Sequence, residues 1–345
     1  MRVLVTGGAG MVGSHTAEYY AKKGNEVIVL DNLMRSKLFG YDKKSVEYNW
    51  NYLAKYKSIK RIKGDVRLKK DVLEAIGKGV DVVIHTAGQP GVPLSIRIPE
   101  EDFSINAYGT LNVLECVRQR CKDAVFIYCS TNKVYGENVD KMALLEKKTR
   151  YVYKDIKGIP VTLSIDHTGH TPYGVSKYVG DIYVQEYAHI YGMKTAVFRM
   201  SCIYGIRQFG FEDQGWVSWF VIANLLGKPI TVYGNGKQVR DLLYVTDLVK
   251  AYDKFIYSGL RHEVFNIGGG PQNTISLLEF IEAIKKETGR QNPVSFDDWR
   301  PSDQKVYISD ISKVKKALNW NPSISPQDGM KKIIEWVKKN KTIFR

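Results

Sequence analysis

Short apolar runs and helical patterns alternate along the first half of the chain. The runs at residues 2–6, 26–30, 58–63, 81–86 and 124–128 have the length and apolar character of buried strands. Between them, apolar positions recur every three to four residues, which predicts helices over residues 14–20, 70–76 and 100–118. This alternation predicts a doubly wound α/β fold, in which a parallel sheet carries helices on both faces.

A glycine-rich turn links the first strand to the first helix. Gly7, Gly10 and Gly13 permit a sharp turn, let a pyrophosphate approach the N–H groups at the helix start, and let helix and strand pack closely. The second strand runs into Asp31, whose carboxylate can accept hydrogen bonds from an adenosine ribose. We therefore predict a Rossmann-type dinucleotide site. Asp31 favours NAD, because it would repel a 2′-phosphate, although Arg35 nearby leaves NADP as the alternative.

Ligands of such sheets bind beyond the carboxyl ends of the strands. The segments that directly follow predicted strands are therefore candidate ligand contacts: Gly64-Asp65-Val66, Ala87-Gly88-Gln89 and Ser130-Thr131-Asn132. Asp65 has two interpretations, because a carboxylate there can cap the following helix or bind an adenine.

A tyrosine and a lysine share one face of a later predicted helix. The periodicity of Val175, Tyr178 and Ile182 predicts that the helix begins near Thr171, which places Lys177 one turn from Tyr173. A positive charge favours phenolate, so Tyr173 is a candidate general base. A solvated helix face is the alternative interpretation of this pair.

Composition narrows the classes of function. The 345 residues are 44% hydrophobic, and no apolar run approaches the roughly 18 to 20 residues needed to cross a membrane. We expect a cytoplasmic protein with no membrane partner. The net charge of +15 is spread along the chain and includes lysines on the solvated face of a C-terminal helix, so we predict no nucleic-acid partner. The four cysteines lack metal-ligand spacing, so reduced thiols and no metal site are expected.

These segments, together with His85-Thr86-Ala87-Gly88, Asn106-Ala107-Tyr108-Gly109-Thr110 and Asn266-Ile267-Gly268-Gly269-Gly270, resemble the extended short-chain dehydrogenase/reductase family of nucleotide-sugar epimerases and dehydratases. The resemblance implies that Tyr173 is the catalytic base, that Lys177 binds the nicotinamide ribose and lowers the tyrosine pKa, and that Thr131 hydrogen-bonds the reacting sugar oxygen. The family's dehydratases carry Asp-Glu after that threonine, where this chain has Asn132-Lys133. Elimination of water is therefore not expected, which leaves epimerisation or oxidoreduction.

The resemblance also implies two sets of binding residues. The NAD contacts are Gly7, Gly10, Met11, Val12, Gly13, Asp31, Asn32, Asp65, Val66, Ala87, Gln89, Asn106, Tyr173, Lys177 and Met200. The contacts to a nucleotide-diphosphate sugar are Asn132, Gln208, Phe209, Gln214, Trp216, Val217, Tyr233, Arg240 and Arg300. The two arginines suit a diphosphate clamp, because guanidinium groups match phosphate oxygens, but each could instead form a surface ion pair. The aromatic residues could instead be core.

A closer similarity, carried by Asp213-Gln214-Gly215-Trp216-Val217 and by Gly234-Asn235-Gly236-Lys237-Gln238, is to the branch that inverts C2 of a CDP-linked hexose. Three alternatives remain: an epimerase for another sugar nucleotide, such as GDP-mannose at C2 or a UDP-hexose at C4; an NAD-dependent dehydrogenase; and a non-catalytic Rossmann-type binding protein.

Two lobes are predicted. Residues 1–200 and 237–262 form the NAD-binding domain, and residues 201–236 and 263–345 form a smaller C-terminal α/β lobe that binds the nucleotide sugar. The resemblance implies a homodimer, formed by helices near residues 100–118 and 174–190, or a homotetramer.

Overall fold

The computed structural model describes residues 1–40 and 43–344. Its strands are β1 (Arg2–Thr6), β2 (Glu26–Asp31), β3 (Ile59–Lys63), β4 (Val82–His85), β5 (Val125–Thr131), β6 (Leu144–Glu146), β7 (Tyr151–Tyr153), β8 (Thr195–Met200), β9 (Cys202–Tyr204), β10 (Ile230–Tyr233), β11 (Val239–Tyr244), β12 (His262–Ile267), β13 (Thr274–Ser276), β14 (Val294–Asp297) and β15 (Val306–Tyr307).

Helices connect most of these strands. They are α1 (Met11–Lys22), α2 (Arg35–Phe39), α3 (Lys43–Leu53), α4 (Lys69–Ile76), α5 (Val92–Arg97), α6 (Pro99–Phe103), α7 (Gly109–Arg120), α8 (Pro172–Tyr191), α9 (Trp216–Leu226), α10 (Val245–Ile256), α11 (Leu277–Thr288), α12 (Ser312–Leu318) and α13 (Pro326–Lys339). Two 3₁₀ turns lie within Asn132–Lys141, directly after β5, and Gly136, with φ of 54°, separates them.

The central sheet has seven strands in the order β12-β8-β5-β4-β1-β2-β3. The pairings that join β1 through β5 are parallel, with Val3 opposite Val27 on one side and Val82 on the other. The strand order reverses between β1 and β4, which is the switch point where ligands of doubly wound sheets bind. Buried Leu4, Ile28 and Phe126 contribute to the core of this unit. The predicted fold class is confirmed.

The strands and helices predicted in the first half are all present, but one helix is divided. The predicted helix over 100–118 is instead α6, a π-helical turn at Ser104–Tyr108, and α7. The π-turn contains Asn106, whose buried side chain bonds to three other segments, and such turns are frequent at functional sites. Apolar periodicity does not report a turn of this kind, because the apolar face continues through it.

Helix α8 begins and ends where local chemistry predicts. The Thr171 hydroxyl accepts a hydrogen bond from the backbone N–H of Gly174, and Pro172 occupies the first helical position, where no N–H is required. Gly192 follows the last turn with φ of 66°, a left-handed conformation that glycine adopts at little cost. The N-terminal end places Tyr173 in the first turn of α8.

The chain forms two compact units. The first contains Met1–Val134, Thr171–Arg199 and Val249–Phe265, and the second contains Tyr135–His170, Met200–Leu248 and Asn266–Arg345. This division differs from the predicted one chiefly at 135–170, which the sequence analysis assigns to the dinucleotide domain. The segment belongs to the second unit because its backbone bonds there: the Tyr151 N–H donates to the Lys237 carbonyl, and Ile159 bridges to Ser309.

The second unit has its own small sheets. Strand β11 pairs with β9, β13 and β15, and β10 pairs in parallel with β14. Helix α11 starts with a capping box in which Ser276 and Glu279 each satisfy the other's backbone N–H. Across the residues that the structure describes, no helix is both long and apolar enough to span a membrane.

Candidate active site

The glycine turn after β1 adopts the close-packed geometry that its sequence predicts. Gly7 has φ of 70°, and the N–H of Gly10 donates to the Gly7 carbonyl at 3.0 Å. A Cβ on Gly13 would lie 2.3 Å from the Gly7 carbonyl oxygen, so only glycine fits there. Gly10 is the N-cap of α1, and no side chain caps this end, so Met11 and Val12 open a first turn whose N–H groups suit an anion.

Acidic and amide side chains gather at the ends of β2 and β3. Asp31 accepts from the backbone N–H groups of Ala9 (2.9 Å) and Leu33 (2.8 Å), which ties it to the glycine turn. Burial raises the pKa of Asp31, and these two hydrogen bonds oppose the rise. Asn32 donates to Asp65 at 2.9 Å.

Asp65 is not the N-cap of α4, so that interpretation is wrong. The N-cap is Leu68, without a side-chain cap, and Asp65 instead binds Arg67 at 2.7 Å. Burial opposes ionisation of Asp65, but hydrogen bonds from Arg67 and Asn32 outweigh it and lower its pKa. Val66 is buried, and its carbonyl accepts from Asn112. These contacts place a fixed negative charge beside Asn32.

Tyr173 lies in the first turn of α8, and Thr131 is the last residue of β5. Burial raises the pKa of Tyr173 to about 12, and a hydrogen bond with Thr131 partly offsets this. In the chain without cofactor the pKa of this phenol is therefore raised overall, because loss of hydration penalises the phenolate more than neighbouring groups favour it. The lowering of this pKa by Lys177 stays a prediction. Asn132 follows, and its side-chain oxygen accepts from Thr131 at 3.4 Å.

Lys177 is buried one turn further along α8. Its ammonium lies 4.3 Å from the centre of the Tyr128 ring, a cation–π contact, and 3.8 Å from where a Cβ on Gly88 would be. Burial lowers the pKa of Lys177 to about 8, and the nearby Cys129, Asp102 and Asp181 act in the opposite direction. A solvated helix face is excluded for this residue, since Lys177 is only 6% exposed.

A fully hydrogen-bonded polar cluster lies beside this pair. The Asn106 side chain accepts from the backbone N–H of Gln89 at 2.9 Å and donates to Asp102 at 3.0 Å. Gln89 also donates to Asp102, at 2.8 Å, and the Ser176 hydroxyl bonds the other carboxylate oxygen. Ala87, two residues before Gln89, has its N–H near the Thr6 hydroxyl at 3.4 Å. The cluster therefore links two predicted NAD contacts, Gln89 and Asn106, to α8 through Ser176.

A buried ion pair fixes the strand that carries Thr131. Asp181 on α8 accepts from the guanidinium of Arg199 at 2.9 and 3.1 Å and from the Ser130 hydroxyl at 2.7 Å. Both charged side chains are almost fully buried. Ser130 immediately precedes Thr131, so this pair joins the strand of one predicted catalytic residue to the helix of the other two. Asp181 and Arg199 are not among the predicted site residues, although a lone Asp four residues after Lys177 on a helix face is a usable signal.

His85, at the end of β4, is enclosed between two hydroxyl groups. Its ring nitrogens lie 2.7 Å from the Thr6 oxygen and 3.0 Å from the Thr110 oxygen. Burial lowers the pKa of His85 to about 3, and the charge of Lys177 adds to the effect. The imidazole is therefore neutral in the folded protein at neutral pH.

This histidine makes stability depend on pH. Its folded pKa of about 3 lies below the value of about 6.5 in an unfolded chain, so the unfolded state binds one more proton between these limits. The contribution is complete above pH 6.5 and is lost as the pH falls, by up to about 1.4 kcal/mol per pH unit. In urea unfolding between pH 6.5 and 4.5, His85→Gln should show a shallower loss than the wild type. His189→Gln, on the exposed end of α8, is the control. Equal slopes for His85→Gln and wild type would contradict the prediction.

In the second unit, Arg300 and Tyr233 are brought together. The guanidinium lies 3.7 Å from the centre of the Tyr233 ring and bonds Asp213 at 2.9 Å. The Tyr233 hydroxyl donates to Glu212 at 2.8 Å. Arg240 bonds Asp303 at 2.6 Å and is mostly buried. Both arginines therefore form ion pairs, as the alternative interpretation held, and each keeps further N–H groups that could meet a phosphate.

The other predicted substrate contacts take mainly packing roles in the second unit. Phe209 is buried against Trp336 and Phe344, with ring centres 5.5 and 5.6 Å away. Trp216 opens α9 and packs against Phe220 and Phe280. The remaining predicted contacts lie as follows: Val217 is buried in α9, Gln208 accepts from Ser218 at 2.7 Å, Gln214 pairs through its backbone with Phe211, and Met200 ends β8.

Taken together, the glycine turn, the carboxylate at the end of β2 and the Tyr–Lys pair beside a threonine define a dinucleotide-dependent enzyme of the short-chain dehydrogenase/reductase type. Comparison with known proteins makes this specific. The model of the NAD dependent epimerase/dehydratase family matches residues 3–268, and the chain belongs to this family.

Individual relatives indicate which epimerases the chain resembles. The CDP-paratose 2-epimerase of Salmonella typhi is 40% identical over 345 residues, covering 97% of this chain and 99% of that protein. Among solved structures, the UDP-glucose 4-epimerase of Thermotoga maritima with UDP-glucose has a TM-score of 0.82 at 30% identity, covering 99% of this chain and all of that one. The UDP-glucose 4-epimerase of Thermus thermophilus with NAD has a TM-score of 0.78 at 28% identity, covering 98% and 99%. The family and enzyme predictions are confirmed: the chain is an NAD-dependent sugar-nucleotide epimerase.

The residues present fit NAD. The uncapped start of α1 offers N–H groups to a pyrophosphate, the glycines leave space that a side chain would fill, and Asp31 offers carboxylate oxygens to a ribose. The buried ammonium of Lys177 is a hydrogen-bond donor suited to a second ribose. Within the described part of the chain, no cluster of three or more His, Cys, Asp or Glu side chains is placed to hold a metal ion.

Proposed function

We propose that this chain inverts C2 of a CDP-linked hexose, interconverting CDP-paratose and CDP-tyvelose. The observation that carries the proposal is the 40% identity, across nearly the full length of both chains, to a CDP-paratose 2-epimerase. The proposal is supported by the positions of Thr131 at the end of β5 and of Tyr173 in the first turn of α8, because the mechanism needs a proton acceptor and a second hydroxyl for the sugar oxygen.

In this mechanism Tyr173 moves the proton. The phenolate oxygen takes the proton of the C2 hydroxyl while the C2 hydride leaves, and the C2–O bond becomes a carbonyl. Thr131 donates a hydrogen bond to that oxygen and keeps it near Tyr173. The keto sugar then presents its other face, hydride returns to C2, and Tyr173 gives the proton back to the oxygen. The stereocentre inverts with no net oxidation.

NAD, when bound, supplies the acceptor and donor of hydride, and the positive charge of its oxidised nicotinamide favours phenolate. Gly7, Gly10 and Gly13 bind its pyrophosphate, Asp31 a ribose, and Lys177 the ribose of the nicotinamide. The positive charge of the nicotinamide matters because burial alone keeps Tyr173 protonated. Lys177 orients the cofactor and adds a second positive charge near the phenol.

The diphosphate clamp can be tested at Arg240. A guanidinium donates two parallel hydrogen bonds to a phosphate, whereas an ammonium acts as a single point charge. Arg240→Lys should therefore raise KM for the nucleotide sugar about tenfold, with kcat changed less than twofold, in steady-state kinetics. Arg290→Lys, an exposed arginine of the same unit, is the control. A KM equal to the wild-type value would leave Arg240 as the partner of Asp303 only.

Incubation with separate sugar nucleotides tests the reaction and the substrate together. The purified protein, with no cofactor added, is given CDP-paratose, CDP-tyvelose, GDP-mannose or UDP-glucose in deuterated water, and each sugar is followed by proton NMR. Interconversion of the CDP-paratose pair without deuterium at C2 is the expected result, because hydride returns from bound NAD. Deuterium at C2 would instead show proton abstraction from carbon and overturn the mechanism.

A second candidate is inversion of a UDP-hexose at C4. It is favoured by the similarity to the UDP-glucose 4-epimerase structures of Thermotoga maritima and Thermus thermophilus. The same proton transfer by Tyr173 would then act on the C4 hydroxyl. In the NMR experiment this candidate predicts turnover of UDP-glucose and none of the CDP sugars.

We also infer a homodimer or homotetramer. Helix α8 exposes Val175, Ile182 and Tyr183, between 40% and 45% accessible, and Tyr108 at the end of the π-turn is 52% accessible. A second copy of the chain would cover these apolar side chains. Light scattering of the purified protein should give at least twice the mass of one chain.

A further inference from the structure

One buried carboxylate beside the Tyr–Lys pair is not used by the proposed mechanism. Asp102, the fourth residue of α6, is fully buried. Burying an ionised carboxylate is costly unless hydrogen bonds and a nearby positive charge compensate. Its surroundings therefore indicate what it does.

Three neutral donors meet the two oxygens of Asp102. The side-chain amides of Gln89 and Asn106 donate to Oδ1 at 2.8 and 3.0 Å, and the Ser176 hydroxyl donates to Oδ2. All three side chains can donate, so the site suits an ionised carboxylate. The donors come from three different segments: the loop after β4, the π-turn and the first turn of α8.

The positive charge that compensates Asp102 is Lys177. Ser176 precedes Lys177 in the chain, and its hydroxyl also lies 3.1 Å from the Tyr173 carbonyl oxygen. Burial raises the pKa of Asp102, and the charge of Lys177 opposes this rise. Burial likewise lowers the pKa of Lys177, and the charge of Asp102 opposes this fall, so the two charges stabilise each other. Asp102 also raises the pKa of the Tyr173 phenol.

We propose that Asp102 is a positioning residue for the epimerisation: it holds Lys177 in its charged form and fixes the first turn of α8 against the loop that carries Gln89. The proposal rests on the proposed roles of Tyr173 and Lys177. Asp102 transfers no proton and acts through Ser176, Asn106 and the field at Lys177.

Other charged or titratable groups face Lys177 from each neighbouring element. Asp181 lies on its own helix, Cys129 on β5, and the neutral His85 on β4. Asp181 is already paired with Arg199, and burial raises the pKa of the Cys129 thiol to about 11. Asp102, unlike Asp181, has no arginine among its hydrogen-bond partners. Its removal should therefore lower the fraction of Lys177 that is protonated.

The variant Asp102→Asn tests whether Asp102 holds Lys177 in its charged form, and this test needs no activity measurement. In protein labelled with ¹³C at the lysine ε carbons, with the Lys177 signal assigned from Lys177→Arg, the Lys177 titration should move to lower pH by about 0.5 to 1 unit. Asp247→Asn, which removes an equally buried, hydrogen-bonded carboxylate of the second unit, should not move it. An unchanged Lys177 titration in folded Asp102→Asn would overturn the proposal.

Activity then tests the positioning. With a sugar nucleotide that the wild type turns over, Asp102→Asn should lower kcat at neutral pH about tenfold or more and move both limbs of the kcat profile to lower pH. Ser176→Ala keeps the carboxylate charge, so it should lower kcat without shifting either limb of the pH profile of kcat. If Asp102→Asn does not fold, Ser176→Ala decides: a kcat within twofold of wild type would overturn the proposal.

The two proposals can fail separately. If Tyr173→Phe remains active, the proposed function fails, whereas the Lys177 titration still reports on Asp102. If Tyr173→Phe is inactive and the Lys177 titration is the same in wild type and Asp102→Asn, only the inference about Asp102 fails.

Discussion

Replacement of Tyr173 by phenylalanine should lower kcat for epimerisation by about 10² to 10⁴, the contribution typical of a general acid–base group. In the proposed mechanism the phenol oxygen takes the sugar proton and returns it, and this variant removes that oxygen. The ring itself remains, so the packing of the first turn of α8 should be kept. NAD content, measured by absorbance after denaturation, should be equal to that of the wild type.

Tyr183→Phe is the matched control for this variant. It removes the same hydroxyl from the same helix, but at a side chain that is 40% exposed. Its kcat should be within twofold of wild type. A Tyr173→Phe enzyme with a near-normal rate would contradict the role of Tyr173, and an inactive enzyme that also lacks NAD would assign the effect to binding.

Replacement of Arg199 by methionine should lower the free energy of unfolding by about 3 to 5 kcal/mol. Asp181 would keep its bonds to Ser130 and Gln185 but lose the only guanidinium that pairs with it among the described residues. An uncompensated buried carboxylate is among the costliest defects in a core. Because Ser130 precedes Thr131, epimerisation should fall as well. Urea unfolding at pH 7 measures the stability change.

Two further variants make this test specific. Adding Asp181→Asn to Arg199→Met removes the stranded charge and should recover part of the lost stability. Lys285→Met breaks an exposed pair with Glu282 on α11 and should cost at most about 0.5 kcal/mol. A loss below about 1 kcal/mol for Arg199→Met would show that the pair contributes little beyond its hydrogen bonds.

The fold class and the cofactor were predictable because their signals are local. A strand, a glycine turn, a helix and an acidic strand end occupy residues 2–31, and the structure places Gly7, Gly13 and Asp31 in one turn region. Periodicity and turn chemistry act over a few residues, so a single sequence reports them directly. The resemblance implied the family and the roles of Tyr173 and Lys177. The comparisons confirm the family, whereas the roles of the individual site residues remain predictions.

The doubly wound sheet, the dinucleotide turn and the Tyr–Lys helix face therefore follow from local patterns of residues. The raised pKa of Tyr173, the three donors to Asp102 and the place of residues 135–170 in the second unit depend instead on the folded arrangement. Hydration, buried charge and long-range pairing all involve residues that are far apart in the chain. Asp181 and Arg199 carry no local pattern, and only folding brings these side chains of α8 and β8 together as an ion pair.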